Sequence, residues 1–145
     1  MYLLDTNVIS ELRHGKPRQA LAVRDWAAAQ PRSALYLSSI TKLELEIGEL
    51  RIARKDAAQA AALRAWRATV LLQFAGRILP FTETTTSWCA PLHVPNPRSE
   101  RDAMIAATAL EHGFTVVTRN AADFAGTGVR LVNPWEFESS STDTP

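Results

Sequence analysis

The chain of 145 residues contains one cysteine, Cys89. No disulfide can close within it, and no Cys-rich zinc framework exists. Lysine is nearly missing: Lys16, Lys42 and Lys55 are all there are, so the positive charge is carried by arginine. The histidines, His14, His93 and His112, are scattered and read as surface or loop residues. No glycine-rich phosphate loop is present, which argues against nucleoside-triphosphate chemistry. No apolar run approaches the ~18 residues needed to cross a bilayer. Asp5 interrupts the apolar start and no basic segment precedes it, so no secretory signal is expected. A cytoplasmic location without membrane association is the expectation. The formal net charge of +1 excludes steering by a strong overall field. An anionic partner would have to be held by a local patch.

What is present is ordinary for one globular domain: 46% hydrophobic and 21% charged residues. Residues 2–4, 35–37, 78–79, 114–117 and 129–132 are short apolar runs that read as strands. Residues 7–13, 18–29, 39–52, 56–74, 83–92 and 99–112 read as helices, and 120–124 as a helical turn. Prolines 91, 95 and 97 mark a loop before the last long helix. The alternation predicts an α/β fold: a single domain over 1–137 with a mostly parallel central sheet and helices on both faces. Residues 138–145 form a polar tail expected to be disordered.

In such folds the working crevice lies beyond the carboxyl ends of the strands. Four acids fall there. Asp5 follows the first strand, and Glu44 lies one to two turns into the helix after the second. Asp102 lies in the first turn of the helix after the proline loop, and Asp123 follows the fourth strand. Helix capping offers a second explanation. Acids suit first helical turns. Asp5 could cap the first helix, and Ser99-x-x-Asp102, Asn120-x-x-Asp123 and Thr41-x-x-Glu44 share the spacing of a capping box. Glu44 is too deep in its helix to cap it.

If the acids converge, their charges need an answer. Two unit charges ~4 Å apart repel by ~4 kcal/mol at an effective dielectric of about 20. Either protons stay on some of them or a cation sits between them. An all-oxygen donor set suits Mg²⁺ or Mn²⁺ and not zinc. Such an ion activates water and clamps a phosphate oxygen, so hydrolysis of a nucleic-acid phosphodiester is its natural use here.

Five motifs then occur in order. They are Leu4-Asp5-Thr6-Asn7-Val8-Ile9-Ser10-Glu11, Glu44-Leu45-x-x-Gly48, Asp102-x-x-Ile105-Ala106-Ala107-x-Ala109, Thr118-Arg119-Asn120-x-x-Asp123-Phe124 and Asn133-Pro134-Trp135. Together they resemble the PIN-domain ribonucleases, specifically the VapC and FitB-like toxins of bacterial toxin–antitoxin pairs, from Met1 to about Trp135. The resemblance implies a Mg²⁺-dependent endoribonuclease (Mn²⁺ serving as well) that cuts RNA such as tRNA or rRNA. It implies a homodimer silenced by a small cognate antitoxin. Asp5, Glu44, Asp102 and Asp123 inherit the metal and catalytic roles. Thr6, Asn7, Thr118 and Asn120 are placed as partners that orient the carboxylates. The stretch 91–98 is richer in proline than the resemblance leads one to expect. Arg98, Arg101 and Arg119 are candidates for holding the RNA backbone.

Two other readings are open. A phosphoacceptor or phosphatase domain also places an Asp after the first strand, but it needs a late lysine, and none follows Lys55. A catalytically inactive PIN-like module would use the same surface to bind RNA or a protein partner.

Overall fold

The computed structural model describes residues 1–138. From 139 onward the expected tail lies outside the described residues. The strands are β1 (Tyr2–Leu4), β2 (Leu35–Ser38), β3 (Ile78–Leu79), β4 (Thr115–Val117) and β5 (Leu131–Val132). They form one sheet in the order β3-β2-β1-β4-β5, and every neighbouring pair is parallel. The helices are α1 (Thr6–Glu11), α2 (Leu21–Ala28), α3 (Ser39–Ala53), α4 (Ala57–Gln73), α5 (Glu83–Cys89) and α6 (Glu100–His112). This is the expected single α/β domain, with helices covering the sheet.

Strand periodicity explains the two cores. Successive side chains point to opposite faces. Leu3 and Val116 enter one core with Ile40, Ile105, Ala106 and Phe124. Their neighbours Leu4 and Val117 enter the other with Val8, Trp26, Leu37 and Phe74. Both faces are therefore buried, which is why these strands are continuous apolar runs rather than alternating ones.

Local chemistry sets the helix ends. The Ser38 hydroxyl caps α3 by accepting from the Thr41 N–H at 3.1 Å, and Asp56 caps α4 through the Gln59 N–H at 3.0 Å. Gly113, at φ +70°, ends α6 in the left-handed region, and the Phe114 N–H bonds back to the Ala109 carbonyl at 2.8 Å. Phe114 is thereby spent on the helix end, and β4 starts one residue later than expected. Helix α2 begins at Leu21 and not at residue 18, because Arg18 has φ +56° and the buried Glu11 carboxylate takes the Ala20 N–H at 2.8 Å. Helix α5 stops at Cys89 and gives way to a 3₁₀ turn, Ala90–His93, containing Pro91. Buried Glu49 locks α3 to α4 by accepting from Arg64 Nε at 2.9 Å and Arg67 Nε at 2.7 Å.

The chain steps outward from β1 to β2 and β3, then returns to the other side of β1 for β4 and β5. Strand β1 is thus the point at which strand order reverses. The crevice at its carboxyl end is the expected place for a ligand. No helix among the described residues is long and apolar enough to cross a membrane.

Candidate active site

Asp5 is the first residue past β1 and the N-cap of α1. Register sets its surroundings. Leu4 pairs with Val117, so Asp5 lies beside Thr118 at the carboxyl ends of the two central strands. The Asp5 N–H bonds the Val117 carbonyl at 2.9 Å. Its carboxylate is 6% exposed and is surrounded by donors. Oδ1 accepts from the Thr6 N–H at 2.8 Å; Oδ2 accepts from the Thr118 hydroxyl at 2.8 Å and from Asn7 Nδ2 at 3.3 Å. The capping explanation thus holds in part. One oxygen serves the start of α1 and the other faces β4.

Glu44 reaches the same place from α3. Ser38 already caps that helix, leaving Glu44 free of capping duty. Its Oε1 accepts from the Thr6 hydroxyl at 2.8 Å, and Arg101 Nη1 stands 3.8 Å from Oε2. Asp102 occupies the first turn of α6. Ser99 makes no capping bond with its side chain but hydrogen bonds to the Asp102 carboxylate instead. Asp123 lies on a 3₁₀ turn, Ala121–Phe124, anchored in the core by Phe124 at 1% exposure. The Asn120 side chain makes no capping bond there; its backbone N–H bonds the Thr118 hydroxyl at 3.0 Å.

The electrostatics tie the acids together. Burial pushes the Asp5 carboxyl above its ordinary pKa, the hydrogen bonds from Thr118 and Thr6 oppose this, and the charges of Glu44 and Asp123 add to it. Burial likewise raises Asp102, helped by the charges of Asp5 and Asp123 and opposed by the Ser99 hydrogen bond. Each acid thus lies in the field of others. Among the described residues, Asp5, Asp102 and Asp123 form no salt bridge; Glu44 alone has a basic neighbour.

The donor set is all oxygen and suits a hard divalent cation. As the side chains stand, no three His, Cys, Asp or Glu groups among the described residues are gathered closely enough to hold one ion. The chemistry of the set fits the ion, and the carboxylates would have to draw together to share it. A groove of about 330 Å³ opens beside Thr6 and Glu44, between α1, α3 and α4, with an apolar floor of Leu45, Leu63 and Trp66.

The basic candidates fall in three different situations. Arg98 directs Nε to the Leu92 carbonyl and Nη1 to the Ala125 carbonyl, each at 2.9 Å. Arg101 faces Glu44. Arg119 is exposed, with its guanidinium 5.1 Å from the centre of the Trp135 ring and its backbone N–H donating to Asn7 Oδ1 at 3.2 Å. Two further contributors carry only a capping spacing in the sequence: Ser99, which lies beside Asp102, and Thr41, whose hydroxyl stands 3.2 Å from that of Thr6. Their position three residues before an acid was the available signal.

Comparison with known proteins agrees with this fold. Residues 2–128 match the PIN domain. The chain is 39% identical over 141 residues to "Plasmid stability protein StbB" of Pseudomonas syringae pv. tomato, covering 94% of this chain and 99% of that protein. It is 39% identical over 143 residues to "VapC ribonuclease Y4jK" of Sinorhizobium fredii, with the same coverage, and 34% identical over 140 residues to "Toxin FitB" of Neisseria gonorrhoeae, covering 93% and 99%. The crystal structure of FitAcB from Neisseria gonorrhoeae superposes with a TM-score of 0.85 at 35% identity, covering 94% of this chain and 100% of that one. A toxin–antitoxin complex from Klebsiella pneumoniae superposes with a TM-score of 0.67 at 28% identity, covering 92% and 98%. The chain belongs to the PIN-domain family and is closely related to its VapC- and FitB-type toxins.

Proposed function

We propose that the protein is a metal-dependent endoribonuclease that acts as the toxin of a toxin–antitoxin pair, with tRNA or rRNA as the substrate class. One observation carries the reading. Asp5 and Asp102 are desolvated carboxylates in each other's neighbourhood, with Asp123 charging both and no cationic side chain bonded to any of the three among the described residues. Kinship with proteins named as a ribonuclease and as a toxin supports the biological role.

Asp5, Glu44, Asp102 and Asp123 would hold Mg²⁺, or Mn²⁺ in its place. The bound ion would supply an activated water and a clamp for a phosphate oxygen. The protein's own part is orientation. Thr6 bridges the first two acids, giving its N–H to Asp5 and its hydroxyl to Glu44. Thr118 and Asn7 fix the other Asp5 oxygen. Arg101 and Arg119, at the rim, would hold the RNA backbone on either side of the scissile phosphate. Hydrolysis leaves a 5′-phosphate and a 3′-hydroxyl.

A small antitoxin and a second copy of the chain are the proposed partners. The groove offers the antitoxin apolar side chains, Leu45, Leu63 and Trp66, beside Glu44, so an occupant would cover that acid. Exposed Leu43, Leu50, Leu72 and Trp88 leave apolar surface for association.

The test is Asp5→Asn. It should abolish RNA cleavage and Mg²⁺ binding while leaving the circular dichroism spectrum unchanged; undiminished cleavage would refute the assignment. An inactive PIN-like module is the second reading, favoured by the separation of the carboxylates. It requires that titration calorimetry detect no Mg²⁺ or Mn²⁺ binding by the wild type.

A further inference from the structure

Arg98 was a candidate for contacting RNA, yet its side chain is turned inward. Its Nε–H donates to the Leu92 carbonyl and its Nη1–H to the Ala125 carbonyl, each at 2.9 Å. Its own N–H reaches His93 Nδ1 at 3.4 Å. The two carbonyls belong to separate irregular segments. Leu92 is in the 3₁₀ turn Ala90–His93, and Arg98 itself stands two residues before the helix that bears Asp102. Ala125 lies two residues past Asp123.

The local backbone is shaped around the guanidinium. Gly126 has φ +80°, and a Cβ there would meet Arg98 Nη2 at 3.1 Å. Phe124 anchors the Asp123 turn in the core from one side. Arg98 fastens it from the side facing α6. Helix α6 packs against both segments, and the Arg98 fork adds a side-chain bond to each. A planar fork that donates in two directions suits this bridge, and a lysine ammonium, a compact charge on a flexible stem, does not reproduce it.

The geometry points to Arg98 as a positioning residue that ties the turn bearing Asp123 to the head of the helix bearing Asp102, and so sets the separation of these two carboxylates for a divalent cation. This rests on the metal-dependent reading above. Residues that orient metal ligands are worth about 10- to 100-fold in metal affinity, and that is the loss expected here.

The experiment measures Mn²⁺ binding by titration calorimetry and amide hydrogen exchange on the full chain, for wild type, Arg98→Ala and Arg98→Lys. The informative amides are Ala125, bonded to the Ala122 carbonyl, and Thr127, bonded to the Phe124 carbonyl. Both substitutions should weaken Mn²⁺ binding by about 10- to 100-fold and expose those two amides, with circular dichroism unchanged. If Arg98→Ala fails to fold, Arg98→Lys decides. Wild-type Mn²⁺ affinity in Arg98→Lys would overturn the proposal and return Arg98 to a simple charge at the RNA surface. A wild type that binds no Mn²⁺ would show instead that the metal-dependent reading has failed, and the positioning role would fall with it.

Discussion

The Thr118 hydroxyl donates to Asp5 Oδ2 at 2.8 Å across a sequence separation of 113 residues. It also accepts from Asn7 Nδ2 at 3.3 Å and from the Asn120 N–H at 3.0 Å. A hydroxyl has one proton and two lone pairs. With both lone pairs occupied by donors, the proton is committed to Asp5. Thr118→Val keeps the shape and removes that proton. The Asp5 carboxylate loses its main stabilising contact in a buried setting, and cleavage should fall by about 10- to 100-fold. Thr118→Ser should restore most of it. Rate measurements on a single RNA substrate for the three proteins, at matched Mg²⁺, check this.

Asp102 carries a pH dependence whose sign follows from its setting. Burial and the charges of Asp5 and Asp123 raise its pKa above the ordinary 3.8. The folded chain therefore holds more protons than the unfolded one between 3.8 and the raised value, and stability falls as pH rises through that window. Above that window the whole cost is in place. Asp102→Asn keeps an oxygen to accept from Ser99 and removes the charge. Without divalent cations the variant should melt at a higher temperature than wild type above that window. The gain should vanish below the ordinary pKa of 3.8. Added Mg²⁺ should reverse the order at pH 7 by stabilising wild type alone. Thermal melts across pH, with and without Mg²⁺, read both effects.

Ser38 supports the site from a distance. Its hydroxyl is buried and caps the helix that carries Glu44. Ser38→Ala should cost about 1 kcal/mol, or about 3–4 °C in Tm. Because the acids themselves are unchanged, metal affinity measured well below the melting range should stay within about twofold. A large loss of affinity with little change in Tm would contradict this division of roles.

The fold was legible because its elements obey local rules. Buried parallel strands read as short apolar runs, and the helices as the longer stretches between them. The ends were less legible where distant groups intervened. Glu11 takes the Ala20 N–H and delays α2, and the closing bond to Phe114 shortens β4. At the candidate site the acids could be located by their place after strands. Their partners could not. The Thr6–Glu44 bond spans 38 residues and the Arg98–Ala125 bond spans 27. A single sequence does not state which carbonyl an arginine will face. Spacing alone gives Ser99 and Thr41 a capping role, whereas the folded chain sets Ser99 beside Asp102 and the Thr41 hydroxyl against that of Thr6.

Arg119 separates substrate contact from metal holding. Its guanidinium stacks on Trp135, its side chain is exposed, and its backbone N–H bonds Asn7 Oδ1. Stacking restricts the rotamers of a long side chain, so less entropy is lost when it meets a phosphate. Nothing in its contacts involves a carboxylate. Arg119→Ala should therefore raise KM for RNA several-fold, leave Mn²⁺ affinity unchanged, and lower the slope of log affinity against log salt by about 1. Trp135→Leu should give a smaller loss in the same direction by freeing the guanidinium. Binding of a catalytically inactive Asp5→Asn protein to RNA across a salt series measures both. An unchanged salt slope would remove Arg119 from the RNA surface, because a phosphate contact must release counterions when it forms.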